Sequence, residues 1–267
     1  MMLWGEVMRS IDRLKEEEVL NIAVEVGKIL LINGAETSLS EYSIAHICRC
    51  RGMENIKVFC TPTVILVGEE KPNGYNCVTR VFTRTNNLTA LGEIHSFIEN
   101  FEDWDLGYED TLKYLEIVDA PIKKKNWKLC IAAGLVGGCY AVMLGGNFAD
   151  FVSAMFAAAF AMLVMRLVQH SYKPILIWEN ALVGLALGFV ACIATKSFFA
   201  GNMAKVIAGC VMPFVPGVAF TNSMLDYMAG DLVSGNARFV EALFIAGGLA
   251  LGIGLGIYAY MQLGGLL

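Results

Sequence analysis

Residues 129–165 read LCIAAGLVGGCYAVMLGGNFADFVSAMFAAAFAMLVM, and Asp150 is the one charge among them. A helix of about 20 apolar residues crosses the roughly 30 Å hydrocarbon core of a bilayer. Asp150 divides this stretch into Leu129–Ala149 and Phe151–Met165, and Arg166 extends the second if its head snorkels to the interface. Three further runs follow: Pro174–Thr195 with only Glu179, Val206–Leu225 without a charge, and Ala242–Leu267 without a charge. Five such runs in tandem, joined by short loops, argue against a buried soluble core. The expected architecture is therefore an α-helical integral membrane domain over 127–267. Its five spans are placed at about 127–147, 150–168, 174–195, 204–225 and 239–263. Small residues stud these spans, including Gly184 and Gly188 in the third and Gly248, Gly252 and Gly256 in the fifth. They let helices approach closely in lipid.

The rest of the chain has a different composition. Residues 1–126 carry 14 Lys and Arg against 20 Asp and Glu, and residues 127–267 carry 6 against 5. The whole is 17% charged and 56% hydrophobic, with a mean hydropathy of +0.57. Ordinary soluble domains are about 25% charged. A pI near 5.3, with no basic stretch in the first half, excludes nucleic acid as a partner. The first 20 residues have no apolar core and carry Glu16, Glu17 and Glu18, so no signal peptide is expected. Seven Lys and Arg (123, 124, 125, 128, 166, 173 and 238) fall on the side of the amino-terminal half, against Lys196 and Lys205 on the other. The positive-inside bias puts that half in the cytoplasm, the protein in the plasma membrane and the C-terminus outside.

Residues 1–126 read as a small cytoplasmic α+β domain. Glu17–Asn33 is apolar at helical spacing, and Asn33-Gly34 ends it. Ser38 or Ser40 caps a second helix to about Arg51. Ile56–Cys60, Val64–Val67 and Cys77–Thr83 read as strands, with Pro72-Asn73-Gly74 as a turn. Leu88–Phe101 and Leu112–Val118 return to helix, and Lys123–Lys125 is a linker and membrane-surface anchor to lipid.

Motifs for chemistry are sparse. There is no GxxxxGK[ST] loop, no GxSxG elbow and no HExxH. The eight cysteines hold one close pair, Cys48 and Cys50, and the three histidines (46, 95 and 170) are scattered. No metal, no cofactor and no enzyme activity are expected, and the cysteines read as reduced buried thiols. The fourth span, by contrast, is broken by Met212-Pro213-Phe214-Val215-Pro216-Gly217. Two prolines remove two donors, and in lipid such a break persists only where protein or a water-filled cavity satisfies it. Discontinuous helices of this kind build transporter sites. At about 1.5 Å per residue from Lys205, Pro213 and Pro216 lie roughly 12–17 Å in, near the midplane. A polar run follows: Thr221, Asn222, Ser223, Asp226, Asp231, Gly235 and Arg238.

From about Val19 to Tyr258 the chain resembles the threonine/serine exporter family. The resemblance rests on Gly34-Ala35-Glu36-Thr37 with Glu41, on Val58-Phe59-Cys60-Thr61-Pro62-Thr63, and on Thr79-Arg80-Val81. It also rests on Pro216-Gly217, Asn222, Asp226, Gly230-Asp231, Gly235 and Arg238. The resemblance implies export of small hydrophilic metabolites, threonine and serine or dicarboxylates such as succinate, driven by the proton motive force. It also implies a second small five-span subunit, because fused relatives carry two halves and this chain has one. A homo-oligomer stays open. A membrane-anchored sensor and a membrane-anchored enzyme using Glu36, Glu41 and Arg80 are the competing readings. The expected site places the proton on Asp226 and the substrate carboxylate on Arg238, with the Pro216-Gly217 break as its backbone; the alternative is a simple kink followed by an ordinary solvated loop carrying Asp226, Asp231, Arg238 and Glu241. Asp231 and Asn222 line the same pathway. Glu36 and Glu41 open a helix whose dipole they complement, or Glu36 pairs with a base such as Arg80.

Overall fold

A computed structural model describes residues 14–70, 74–82, 85–104, 106–120, 126–171, 176–197 and 202–264. The expected turn at 72–74 and the lysines at 123–125 lie wholly or mostly outside these residues. The chain divides into two compact units. One comprises the described residues up to 120 together with Val218–Phe239, and the other comprises 126–217 and 240–264.

In the first unit, helix α1 (Glu16–Ile32) is the central element. Ten of its residues, from Val19 to Leu31, are buried. Helix α2 (Thr37–Cys50) lies against it, with Ile44 filling the space that a side chain at Gly27 would need. Strands β1 (Ile56–Thr61), β2 (Val64–Glu69) and β3 (Asn76–Arg80) form an antiparallel meander in that order. The β1–β2 register pairs Thr61 with Val64, so Pro62 and Thr63 make a two-residue turn. The Thr61 hydroxyl accepts from Val64 N–H at 3.0 Å and stabilises that turn. Cys60, Ile65 and Val67 point into the core, whereas Phe59, Leu66 and Val78 are exposed. Helices α3 (Leu88–Glu99) and α4 (Tyr108–Asp119) close the unit around Phe97, Phe101 and Leu115. Helix α4 is longer than expected because Gly107 starts it a turn earlier.

The second unit holds α5 (Asn126–Met143), α6 (Phe148–Ser171), α7 (Leu176–Ser197) and α8 (Met203–Val211). It also holds most of α10, which runs from Leu232 to Gly264; α9 (Gly217–Met228) precedes α10 in the chain. Its core is built from small residues. Ala141, Ala154, Ala157, Ala158 and Ala161 are all fully buried. A side chain at Gly184 or Gly188 would strike the α10 backbone at Leu249 or Ile253, and one at Gly252 or Gly256 would strike α7 at Ala181 or Leu185. The two helices therefore meet backbone to backbone through the glycines of both.

Three helices are long and apolar enough to cross a membrane, over Phe148–Gln169, Ile177–Ser197 and Leu232–Gly264. A fourth candidate is the pair Met203–Phe214 and Gly217–Met228, which passes only when taken together across a break. Span boundaries differ from expectation at three places. Trp127–Met143 is shorter than a full span, because Gly145 (φ +82°) turns the chain before the uncharged run ends. There Asn147 and Asp150 cap each other's backbone N–H groups at 2.8 and 2.9 Å. The helix after the break continues to Met228, three residues past the end expected at 225. The last helix starts at Leu232, not near 239, because Asp231 accepts from Ser234 N–H at 3.1 Å and caps it.

Candidate functional site

The polar groups of the first unit converge on the turn between α1 and α2. Gly34, at φ +95°, takes the left-handed conformation that this reversal requires. The turn is anchored by Asn33, which donates to Ile29 O at 2.9 Å and to Asp119 Oδ1 at 3.2 Å. Thr85 N–H donates to Ile32 O at 2.6 Å. Helices α9 and α10 supply the opposing groups. Asn222 and Asp226 sit one turn apart on α9, and Ser234 and Arg238 sit one turn apart on α10.

Polar atoms of Gly34, Ala35 and Thr37 meet these groups. Asn222 Nδ2 donates to Gly34 O at 2.7 Å, and Arg238 Nη2 donates to Ala35 O at 2.7 Å. The Thr37 hydroxyl donates to Asp226 Oδ1 at 2.7 Å, and Thr37 N–H reaches the same oxygen at 3.3 Å. The cap of α2 is thus a carboxylate 189 residues away in sequence, not the expected Ser38 or Ser40. Glu36 occupies the N-cap position without capping through its side chain, and Ser40 donates back to Glu36 O. Asp226 Oδ2 faces Arg238 Nε at 3.2 Å. The two atoms do not meet hydrogen-bond geometry, so the pairing is Coulombic. Asp226 is fully buried and Arg238 is 7% exposed.

The Thr37 hydroxyl also lies 3.1 Å from Asp231 Oδ2. A hydroxyl has one hydrogen, so it serves one carboxylate at a time. Burial pushes the Asp231 carboxyl up, but hydrogen bonds from Ser234, Thr37 and Val233 outweigh burial and hold it below the usual range. Glu41 lies one turn beyond Thr37 on α2 and accepts from Cys60 N–H at 2.7 Å. Burial pushes the Glu41 carboxyl up; the Cys60 N–H opposes this, and the charges of Asp231 and Asp226 add to it. The cluster therefore holds three carboxylates and one guanidinium, which faces Asp226. Such a group can take up a proton, and it can exchange its internal ion pair for the charged ends of a small solute.

The other expected site residues lie elsewhere. Glu36 is half-buried and Arg80 is exposed with its guanidinium stacked over Phe82, and no ion pair joins the two. Thr61 and Pro62 form the β1–β2 turn. Pro213 lies in a single 3-10 turn, Met212–Phe214, and Pro216 and Gly217 open α9; all three are assigned to the second unit. Ala35, Cys60 and Ser234 were not anticipated as site residues. Ala35 and Cys60 stand inside the motifs that carry the family resemblance, whereas Ser234 had no sequence signal, because the last helix was expected to start near 239. Among the described residues no His, Cys, Asp or Glu group could hold a metal ion.

The family model for the threonine/serine exporters, ThrE, matches residues 21–260. The chain belongs to that family. A "Threonine/serine exporter" of Corynebacterium glutamicum is 24% identical over 92% of this chain and 52% of its own length. A "Probable succinate transporter subunit YjjP" of Klebsiella aerogenes is 25% identical over 96% of this chain and 97% of its own length. The same-named protein of Escherichia coli K12 is 23% identical over 90% and 93%. The chain thus spans about half of the first relative and nearly all of the other two. No solved structure matches. This member of the threonine/serine exporter family is a multi-pass membrane transport protein and not an enzyme.

Proposed function

We propose that the chain is one subunit of a secondary exporter. It moves threonine and serine, or dicarboxylates such as succinate, out of the cell at the expense of the proton motive force. The observation that carries this reading is the buried Asp226–Arg238 pair set against the Gly34–Thr37 turn, in a chain that matches the exporter family over nearly its whole length. Arg238 is the group that takes the substrate carboxylate, because a guanidinium binds a carboxylate in two-pronged fashion. Asp226 carries the proton: once protonated, it releases Arg238 to the substrate. Asn222 and Asp231 orient the two.

The arrangement proposed is a cytoplasmic domain over 1–126 and five spans over 127–267, with the C-terminus outside. The shorter helix at 127–143 and the broken pair at 203–228 complete the five. A second five-span subunit of the same family supplies the missing half, in keeping with the word "subunit" in the names of the relatives it matches end to end. The alanines of α6 and the glycines facing between α7 and α10 are already packed within this chain. Gly247 and Gly254, where an added side chain would meet nothing within 4 Å, are among the small residues left to touch a partner. The test is counterflow of labelled threonine, serine and succinate in proteoliposomes, with this chain alone and with its partner. Transport by the pair and none by either alone is expected. Full transport by this chain alone would refute the two-subunit reading, and transport of none of the three by the pair would refute the exporter reading.

A further inference from the structure

The groups that bind a substrate in the reading above are engaged by the chain itself. Arg238 Nη2 is on Ala35 O and Arg238 Nε on Asp226, while Asp226 Oδ1 receives both the N–H and the hydroxyl of Thr37. A free hydroxy amino acid presents the same set: an amino N–H and a hydroxyl two carbons apart, and an acyl oxygen. In the turn these come from Thr37 and from the carbonyl of Ala35. Asn222 holds the adjoining Gly34 carbonyl, so anchor points at Gly34, Ala35 and Thr37 fix the turn in place. The turn follows directly on α1. Its own hydrogen bonds to α1 are short-range, from Ala35 N–H to Leu30 O and from Gly34 N–H to Leu31 O. Thr37 and Ala35 are 1% and 5% exposed and Asp226 is fully buried, so on the side of the turn these residues stand between solvent and Asp226.

We propose that the Gly34–Thr37 turn is a tethered occupant of the transport site, which closes it when no substrate is bound and is displaced when substrate enters. The proposal rests on Asp226 and Arg238 being the transport site. Thr37 then sets the threshold for entry: a substrate must outcompete a ligand that is covalently attached and always present. Weakening the turn raises the population of the open site and with it the apparent affinity.

Thr37→Val keeps the side chain's size and removes its hydroxyl, whereas Thr37→Ser keeps both donors. In co-reconstituted vesicles, Thr37→Val is expected to lower the half-saturating substrate concentration about tenfold, the usual scale for one hydrogen bond to a charged group. Thr37→Ser is expected to match the wild type. A Thr37→Val chain with a lower maximum rate and unchanged half-saturation would assign Thr37 a purely structural role and overturn the proposal. Amide exchange on the wild-type complex decides the matter if that variant does not fold. Whichever of L-threonine, L-serine or succinate the vesicles export should speed exchange over 34–41 at saturation. Slower or unchanged exchange there would overturn the proposal. Failure of the site itself is read separately: wild-type transport by Asp226→Asn and Arg238→Lys removes the site, whereas their inactivity beside an indifferent Thr37→Val removes only the tethered occupant.

Discussion

Thr37 is the residue on which the first unit turns, because one hydroxyl lies between two carboxylates and starts a helix at the same time. Glu41, one turn on, experiences the same charges. Its carboxyl is raised, so the ionised form costs the folded state stability, and that cost is met as pH rises through its folded value. Glu41→Gln keeps an acceptor for Cys60 N–H and carries no charge. The variant is expected to melt higher than the wild type at neutral pH, with the difference shrinking as pH falls into the ordinary carboxylate range. Thermal unfolding in detergent between pH 4.5 and 8 measures it, and a gap independent of pH would contradict the assignment. Asn222, Asp226, Asp231 and Arg238 were legible in the sequence as polar residues following a broken span, and Thr37 and Glu41 through the family resemblance. Their partners were not, since periodicity reports on neighbours within a helix, and Thr37 and Asp226 are 189 positions apart.

At the scale of elements, the helices follow from composition and the ends from particular residues. The apolar run 129–149 does not reveal that a left-handed glycine at 145 ends α5 early, and the polar stretch 231–238 does not look like a helix until Asp231 is seen to cap it. The break at Pro213 and Pro216 was legible because proline removes a donor wherever it stands. The glycines between α7 and α10 give a sharp contrast. A side chain at Gly252 would overlap the Ala181 carbonyl, whereas one at Gly254 meets nothing within 4 Å. Gly252→Val is expected to destabilise by at least about 1–3 kcal/mol, the range for overpacking, with reduced yield. Gly254→Ala is expected to be neutral or to gain about 0.5–1 kcal/mol from helix propensity. Detergent melting curves of the two variants compare them directly; equal effects would mean that α7 and α10 are not in close contact.

At the scale of the whole molecule, the two halves in composition are not the two halves in space. Residues 218–239 lie beyond the first apolar spans in the sequence, yet they join the unit built from the charged half. No local signal announces this, because it follows from long-range pairing of Asn222, Asp226 and Arg238 with the turn at 34–37. The orientation, by contrast, is a matter of charge counting. A reporter active only in the cytoplasm is expected to be silent when fused after Leu267 and active when fused before Met1; activity at both ends would remove the odd number of crossings. The central claim is that the buried cluster closing on the turn carries the transported proton. It is tested most directly by the pH dependence of export for Asp226→Asn, co-reconstituted with the partner subunit at wild-type levels. Export that falls at least about a hundredfold, or that becomes independent of the proton gradient, is predicted; wild-type rates with a wild-type pH profile would contradict it.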